Sequence, residues 1–485
     1  MQDLLQGIDY TGTGDVRVSG FTNDSREVHP GDAFVAVPGV RTDGHRYIPQ
    51  AIERGAAGVV CEQAPDQPTV PVFLVKSSRK ALSRMAASWY GFPAEKLTVI
   101  GVTGTNGKTT ITTLLGNIFN AGRKPAGTIG TFGYTIGGDF YATDLTTPES
   151  KELQSYFARM VDRGMQIVVM EVSSHALALD RTADIPFAAA IFTNLGRDHL
   201  DFHDTVSAYR EAKGRLFQSL DASGLAILNR DSPEYDWFAK ASTGEVISYS
   251  LESPEADYYF TDYSMDFQGS RGMVHTPDGS LEVTSQLLGH YNLLNLLPAI
   301  AAATNQGVSP AAIRRGIELT KVPGRLELVP APYEAPTIFV DYAHTPDALE
   351  AVLQEINWLK TQGAESRRII LVFGCGGNRE RRKRPEMGLI ADRLADEVIV
   401  TSDNPRNEDP LQIIEEINEG IERPDVILEP DRREAIFTAI RLADPTDIVL
   451  IAGKGHETYQ LVSGQKHPFN DKTVAAEAVR EVMRR

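Results

Sequence analysis

The run Gly104-Thr105-Asn106-Gly107-Lys108-Thr109-Thr110 holds residue types that bind phosphate. Glycines let successive backbone N–H groups converge on anionic oxygens, and a helix starting there adds a favourable dipole. In such a loop the lysine reaches the outer phosphates and the following hydroxyl meets Mg²⁺. A β-branched run from Leu97 to Val102 leads in, and Ile111, Leu114, Leu115, Ile118 and Phe119 follow at helical spacing. Strand, loop, helix is the order a phosphate-binding loop requires. The strict Walker pattern wants glycine where Val102 stands, with Gly101 and Gly104 on either side. The plainer alternative, a tight turn between strand and helix, does not call for three glycines and a Lys-Thr pair together.

Other polar groups stand at the ends of apolar runs. The run Met165 to Met170 ends on Glu171, and a carboxylate at the carboxyl end of a buried parallel strand lies near the nucleotide of such a domain. Glu171 is therefore a candidate Mg²⁺ partner. It is followed by Ser173, Ser174 and His175, then by Leu179-Asp180-Arg181. A strand over Ala188 to Phe192 leads into Thr193 to Asp201, where His199 reads equally as a metal ligand or a loop residue. Lys213 reads locally as a surface lysine of a helix. Thr146-Thr147-Pro148-Glu149 reads as a helix start with a threonine cap and proline in the first turn. Ser25, Arg41 and Thr42 read as polar turn residues.

These groups need a scaffold of several cores. A chain of 485 residues with 42% hydrophobic and 23% charged residues is an ordinary globular protein of about three domains. We place them at 1–93, 94–322 and 323–485. The first alternates short strands and helices as a small α/β domain. The second carries the phosphate loop. The third has strands at Ile338–Asp341, Ile369–Phe373, Val398–Thr401, Val426–Leu428 and Ile448–Ile451, separated by helical runs. That pattern predicts a Rossmann-like, doubly wound parallel sheet with its active loops at the carboxyl ends. Those ends carry Asp341-Tyr342-Ala343-His344, Gly374 to Arg379, Asp403-Asn404-Pro405-Arg406 and Gly453-Lys454-Gly455-His456-Glu457. Gly374-Cys375-Gly376 is not a dinucleotide fingerprint, because Arg379 occupies the third glycine position.

Composition bounds the partners. A net charge of −17 argues against a nucleic-acid partner. Two cysteines build neither a disulfide framework nor a cysteine-rich zinc site, which fits a reducing cytoplasm. No signal peptide and no run long enough for a membrane helix is visible.

Taken in order, the motifs resemble the Mur ligase family over essentially the whole chain. They are Asp24-Ser25-Arg26, the Gly104–Thr110 loop, Thr146 to Glu149, Glu171 to His175, Asn194 to Asp201, His290 to Asn295, Asp341 to Pro346, Asp403 to Arg406 and Gly453 to Glu457. Within the family the similarity is to ligases that add 2,6-diaminopimelate to UDP-N-acetylmuramoyl-L-alanyl-D-glutamate in peptidoglycan synthesis. The family's loop lacks the first Walker glycine, which accounts for Val102.

The resemblance implies a mechanism and a site. ATP phosphorylates the D-glutamyl carboxylate, and the diaminopimelate amine attacks the acyl phosphate. By position, Lys108, Glu171, His199 and a carbamylated Lys213 are the catalytic set, and Thr109, Glu171, His199 and Lys213 serve Mg²⁺. A carbamate presents two anionic oxygens where an ammonium cannot ligate. Gly104 to Thr110 with Asn292, Arg325 and Asp341 hold ATP. Ser25, Arg41 and Thr42 match the uridine-nucleotide contacts, and Thr146, Thr147, Ser173 and Arg181 the muramoyl-dipeptide contacts. Relatives often carry glutamine where Leu179 stands. Arg379, Asp403, Asn404, Pro405, Arg406, Gly453 and Glu457 match the diaminopimelate contacts, and Asp-Asn-Pro-Arg is the pattern of this branch. Arg406 offers a planar fork for the carboxylate that distinguishes diaminopimelate from lysine. A lysine-adding ligase is the near alternative, and a non-catalytic nucleotide-binding module the distant one. The expected state is a cytoplasmic monomer acting on small molecules, without nucleic acid or membrane partners.

Overall fold

The computed structural model describes residues 1–12, 16–39, 42–143, 145–196, 198–362 and 367–483. Arg41 lies outside the described residues. Among them, no helix is long and apolar enough to cross a membrane.

Three large sheets organise the described residues, with a two-stranded ribbon, Tyr459–Val462 and Gln465–Pro468, beside them. The first has five strands, with Gly20–Thr22, Asp32–Val35, Gly58–Cys61 and Val72–Val75 parallel in that order and Tyr10–Thr11 antiparallel at the far edge. The second has eleven strands. Its middle is parallel, with Thr98–Thr103 between Ile167–Glu171 and Phe187–Phe192. The third has six, ordered Glu327–Leu328, Thr337–Asp341, Ile448–Ala452, Ile369–Phe373, Glu397–Thr401 and Ile427–Glu429, and only its first pair is antiparallel.

Alternating residues explain why the central strands are apolar throughout. Ile100 and Val102 face one core with Ile167 and Val169, while Val99 faces the other with Val168 and Met170. The six-stranded sheet does the same: Ile338 and Val340 pack on one side, Phe339 on the other. Both sheets are thus covered on two faces, and their polar strand ends are left as the places for chemistry.

Two features depart from the sequence reading. The helix Ser150–Asp162 begins two residues later than a Thr147 cap would place it, with Glu149 at its N-cap and the Glu152 carboxylate accepting the Glu149 N–H at 3.0 Å. Thr147 is unavailable as a cap because its buried hydroxyl donates to the Glu171 carbonyl at 2.9 Å and accepts from the Ser173 N–H at 3.0 Å. The central sheet also continues through antiparallel strands Tyr258–Asp266, Gly269–Thr276 and Gly279–Ser285. The Asp278-Gly279 pair at the second of these turns is the hairpin signal.

Candidate active site

The strand Thr98–Thr103 delivers the glycine loop onto the helix Lys108–Ala121. Gly107 caps that helix at φ +89°. At Gly104, φ is +147° and an added Cβ would lie 1.8 Å from Thr193 Oγ1, so only glycine fits. The neighbouring strand end buttresses the loop: Asn194 Oδ1 accepts the Asn106 N–H at 3.0 Å, and Thr193 Oγ1 donates to the Asn106 carbonyl at 2.6 Å. Lys108 Nζ donates to the carbonyls of Gly104 at 2.8 Å and Thr105 at 2.7 Å. Burial lowers its pKa, opposed by the nearby Glu171 charge.

This loop opens on a cleft of about 230 Å³ whose opposite wall comes from the six-stranded sheet. Asn106, Gly107, Thr109 and Thr110 meet Asn292, Arg325 and Asp341 there, so the cleft joins the residues matched to ATP from two sheets. Asp341 is buried and accepts the N–H groups of Leu326 at 2.5 Å and Ala343 at 2.8 Å; burial pushes its carboxyl up. The Arg325 guanidinium lies 4.7 Å from the Tyr342 ring. Tyr291 and Asn295 also line the cleft, beyond the sequence reading. They belong to the His290–Asn305 helix, and Asn295 Nδ2 donates to Asn292 Oδ1 at 3.1 Å.

Glu171 is 1% exposed, and Thr131 grips its carboxylate. Thr131 donates its N–H to Oε1 at 2.9 Å and its hydroxyl to Oε2 at 3.1 Å, and its Oγ1 lies 3.2 Å from that of Thr146. Sequence reasoning missed Thr131, which stands 40 residues from its partner in an unremarkable turn.

Lys213 overturns its local reading as a surface residue. It lies on the helix Val206–Gln218 but is 1% exposed, with Nζ donating to the Gly104 carbonyl at 2.9 Å and lying 4.3 Å from the Tyr209 ring. Burial, then the charge of Lys108, lowers its pKa well below the usual lysine value. His199 stands edge-on to His175 with ring centroids 4.7 Å apart, and its Nε2 is 3.4 Å from Asp198 Oδ2. Desolvation, with His175 and the two lysines adding to it, lowers its pKa to about 4, against the pull of Asp198. Neutral imidazole can ligate a metal. Among the described residues, no three His, Cys, Asp or Glu side chains converge on one point. A hydroxyl from Thr109 and a carboxylate from Glu171 nevertheless fit Mg²⁺, which combines one or two carboxylates with substrate phosphates.

The residues matched to the nucleotide-sugar substrate fall in two places. Ser25 Oγ donates to Gln50 Oε1 at 2.8 Å, and Thr42 Oγ1 lies 3.2 Å from the Tyr47 hydroxyl, both within the five-stranded unit. Arg181 instead donates to the Thr147 carbonyl at 3.0 Å and pairs with Glu149 at 2.6 Å, while Ser173 caps the helix Ser174–Ala178. Arg79 joins the two places, donating to the Pro38 carbonyl at 2.5 Å and to that of Leu179 at 3.4 Å.

At the carboxyl edge of the six-stranded sheet, Asn404 Nδ2 donates to Glu457 Oε2 at 2.7 Å, and Asp403 stands 2.6 Å from where a Gly453 side chain would begin. Pro405 carries the chain to Arg406, whose φ is +55°. Its backbone N–H donates to the Leu461 carbonyl at 2.9 Å and its Nη1 to that of Gly377 at 2.8 Å. Burial lowers the Arg406 pKa, and the charge of Arg379, an exposed residue, adds to it.

Two buried arginines and their carboxylate partners hold these loops and went unrecognised in the sequence. Arg384 pairs with Glu408 at 3.0 Å and Glu416 at 2.6 Å, and Glu408 also accepts the Asn378 N–H. Arg432 pairs with Asp471 at 2.8 Å, both fully buried, and donates to the carbonyls of Ser402 and Ala452. Removing one partner strands a buried charge, so Arg432→Met is expected to destabilise the fold by about 3–5 kcal/mol, read by urea unfolding. An unchanged midpoint would contradict that.

The Mur ligase family catalytic domain matches residues 17–90, the Mur ligase middle domain 102–303 and the Mur ligase glutamate ligase domain 324–455. The UDP-N-acetylmuramoyl-L-alanyl-D-glutamate–2,6-diaminopimelate ligase of Gloeobacter violaceus is 44% identical over 481 residues, covering 98% of this chain and 96% of that protein. The chain belongs to the Mur ligase family. A second relative of this Mur ligase, with the same protein name, from Chlorobium phaeobacteroides, is 43% identical over 476 residues, covering 96% and 92%. A solved structure of a UDP-N-acetylmuramoyl-L-alanyl-D-glutamate–2,6-diaminopimelate ligase matches at TM-score 0.69 and 34% identity, covering 96% of this chain and 95% of that one. Folylpolyglutamate synthase of Mycobacterium tuberculosis shares the fold of this Mur ligase at TM-score 0.65 and 18% identity, covering 84% of this chain and 95% of its own.

Proposed function

We propose that this Mur ligase joins meso-2,6-diaminopimelate to the D-glutamyl carboxylate of UDP-N-acetylmuramoyl-L-alanyl-D-glutamate, using ATP, in cytoplasmic peptidoglycan precursor synthesis. The observation that carries the reading is the shared cleft: the glycine loop faces Arg325 and Asp341, and a further strand end of the same six-stranded sheet carries Arg406. The near full-length similarity to ligases of that name supports it.

A carboxylate acylates poorly because oxide is a hopeless leaving group. Attack of its oxygen on the γ-phosphorus expels ADP and leaves an acyl phosphate. The amine then attacks the carbonyl carbon, phosphate departs, and a proton is lost from nitrogen. The first step brings two anions together, so the site has to supply positive charge where they meet. Lys108 supplies it at the outer phosphates, with Arg325 on the opposite wall. Thr109, Glu171, His199 and the carbamate of Lys213 would hold Mg²⁺, which would supply further charge neutralisation when bound. Lys213 acts as its carbamate, formed when the buried neutral amine adds CO₂ and releases a proton. Residues 1–93 take the uridine nucleotide, 94–322 the ATP phosphates and 323–485 the amino acid, with Arg325 and Asp341 closing the ATP cleft, in a monomer.

Hydroxylamine tests the intermediate. With ATP and the UDP-dipeptide but no diamino acid, a hydroxamate of the dipeptide is expected alongside ADP, and neither forms without the dipeptide. ADP release indifferent to the dipeptide would overturn the reading.

A further inference from the structure

Lys454 is a lysine with no exposed side-chain surface, placed among the residues matched to the diamino acid. Its Nζ donates to Glu457 Oε2 at 2.7 Å and to Asn404 Oδ1 at 3.1 Å. Asn404 Oδ1 also accepts the Leu461 N–H at 2.9 Å. Two donors on that oxygen fix the amide orientation, so the Nδ2 group must face Glu457. The Asn404 Nδ2 group and the Lys454 ammonium both donate to Glu457 at the same atom, Oε2. Oε1 carries neither bond.

The backbone leaves Lys454 little freedom to be elsewhere. It lies between Gly453 at φ +113° and Gly455 at φ +50°, and an added Cβ on Gly455 would come within 2.8 Å of Tyr342 Cβ and 2.9 Å of the Gly324 carbonyl. The Glu457 N–H closes the turn on the Lys454 carbonyl at 2.9 Å.

We infer that Lys454 is a positioning residue for the amine substrate: it locks the Asn404 amide and holds Glu457 by one oxygen, keeping the other for the substrate's far ammonium. The inference rests on the amine site proposed above. Glu457 is only partly buried, and without the Lys454 contact its carboxylate is free to turn away, which removes an anionic acceptor from the substrate. Lys454 itself touches no reacting atom in this account.

The test compares Lys454→Met and Lys454→Gln with the unaltered protein in steady-state assays of ADP release. Glutamine keeps a donor but loses the charge. The KM for meso-diaminopimelate is expected to rise about 10–100-fold in the methionine variant, the range for losing a hydrogen bond to a charged group, and less in the glutamine variant. The KM values for ATP and the UDP-dipeptide should stay within twofold. An unchanged diaminopimelate KM in both variants would overturn the inference. So would an equal loss for all three substrates, from unfolding or otherwise, because that would make Lys454 purely architectural. If the unaltered protein does not use diaminopimelate at all, it is the proposed function that fails.

Discussion

Lys213→Ala is expected to lower kcat by roughly 10²–10³-fold, the scale for removing one charged contact from a transition state. Crowding at the Gly104 carbonyl is the physical reason. Lys213 and Lys108 both donate to the Gly104 carbonyl, and Lys213 is buried with a pKa driven well below its ordinary value. Two ammonium groups sharing one acceptor in a dry site would repel each other, which favours the neutral amine at Lys213. Converting one to a carbamate replaces repulsion with attraction and supplies anionic oxygens beside the cation site. Short carboxylates such as acetate or formate should enter the space left by the alanine variant and restore part of the rate. Substrate-dependent ADP release in the presence and absence of these acids is the measurement. Undiminished activity in the variant would contradict the assigned role.

Arg406→Ala should lower kcat/KM for meso-diaminopimelate by about 10²–10³-fold, since truncating a buried charge partner typically costs 2–5 kcal/mol. Arg406→Lys should recover little of this, because a point charge cannot replace the planar fork. The left-handed backbone at Arg406 is pinned by its N–H on Leu461 O and its carbonyl on the Ser463 N–H at 2.6 Å. The loop should therefore hold its course in both variants, and the KM for ATP, whose cleft lies on other residues, should not move. A parallel loss for ATP would mean that Arg406 serves the fold rather than the amine.

What the sequence made legible was governed by local pattern. The five parallel strands of the third unit stood out because strands covered on both faces are continuous apolar runs. Each was located to within one residue, down to Ile369–Phe373. Glu171 was legible because it ends such a run. The remaining features depend on partners distant in the chain. Lys213 has ordinary helical neighbours, and only its meeting with Gly104, 109 positions away, makes it buried. Thr131 and Arg79 lie in unremarkable stretches and gain meaning from Glu171 and Leu179. Thr147 carried a genuine capping signal that lost to its contacts with Glu171 and Ser173. Lys454 was in plain sight within Gly453 to Glu457, yet nothing local distinguishes an exposed lysine from one buried against a carboxylate.

The choice of amine is the property on which the proposed function turns. The protein, given ATP and UDP-N-acetylmuramoyl-L-alanyl-D-glutamate, is assayed with meso-2,6-diaminopimelate or L-lysine, and the product identified by mass. A site built to pair a carboxylate should reject the analogue lacking it by roughly 10⁴-fold in kcat/KM. Formation of the diaminopimelate adduct with lysine rejected on that scale is the predicted result; equal use of the two amines would contradict it.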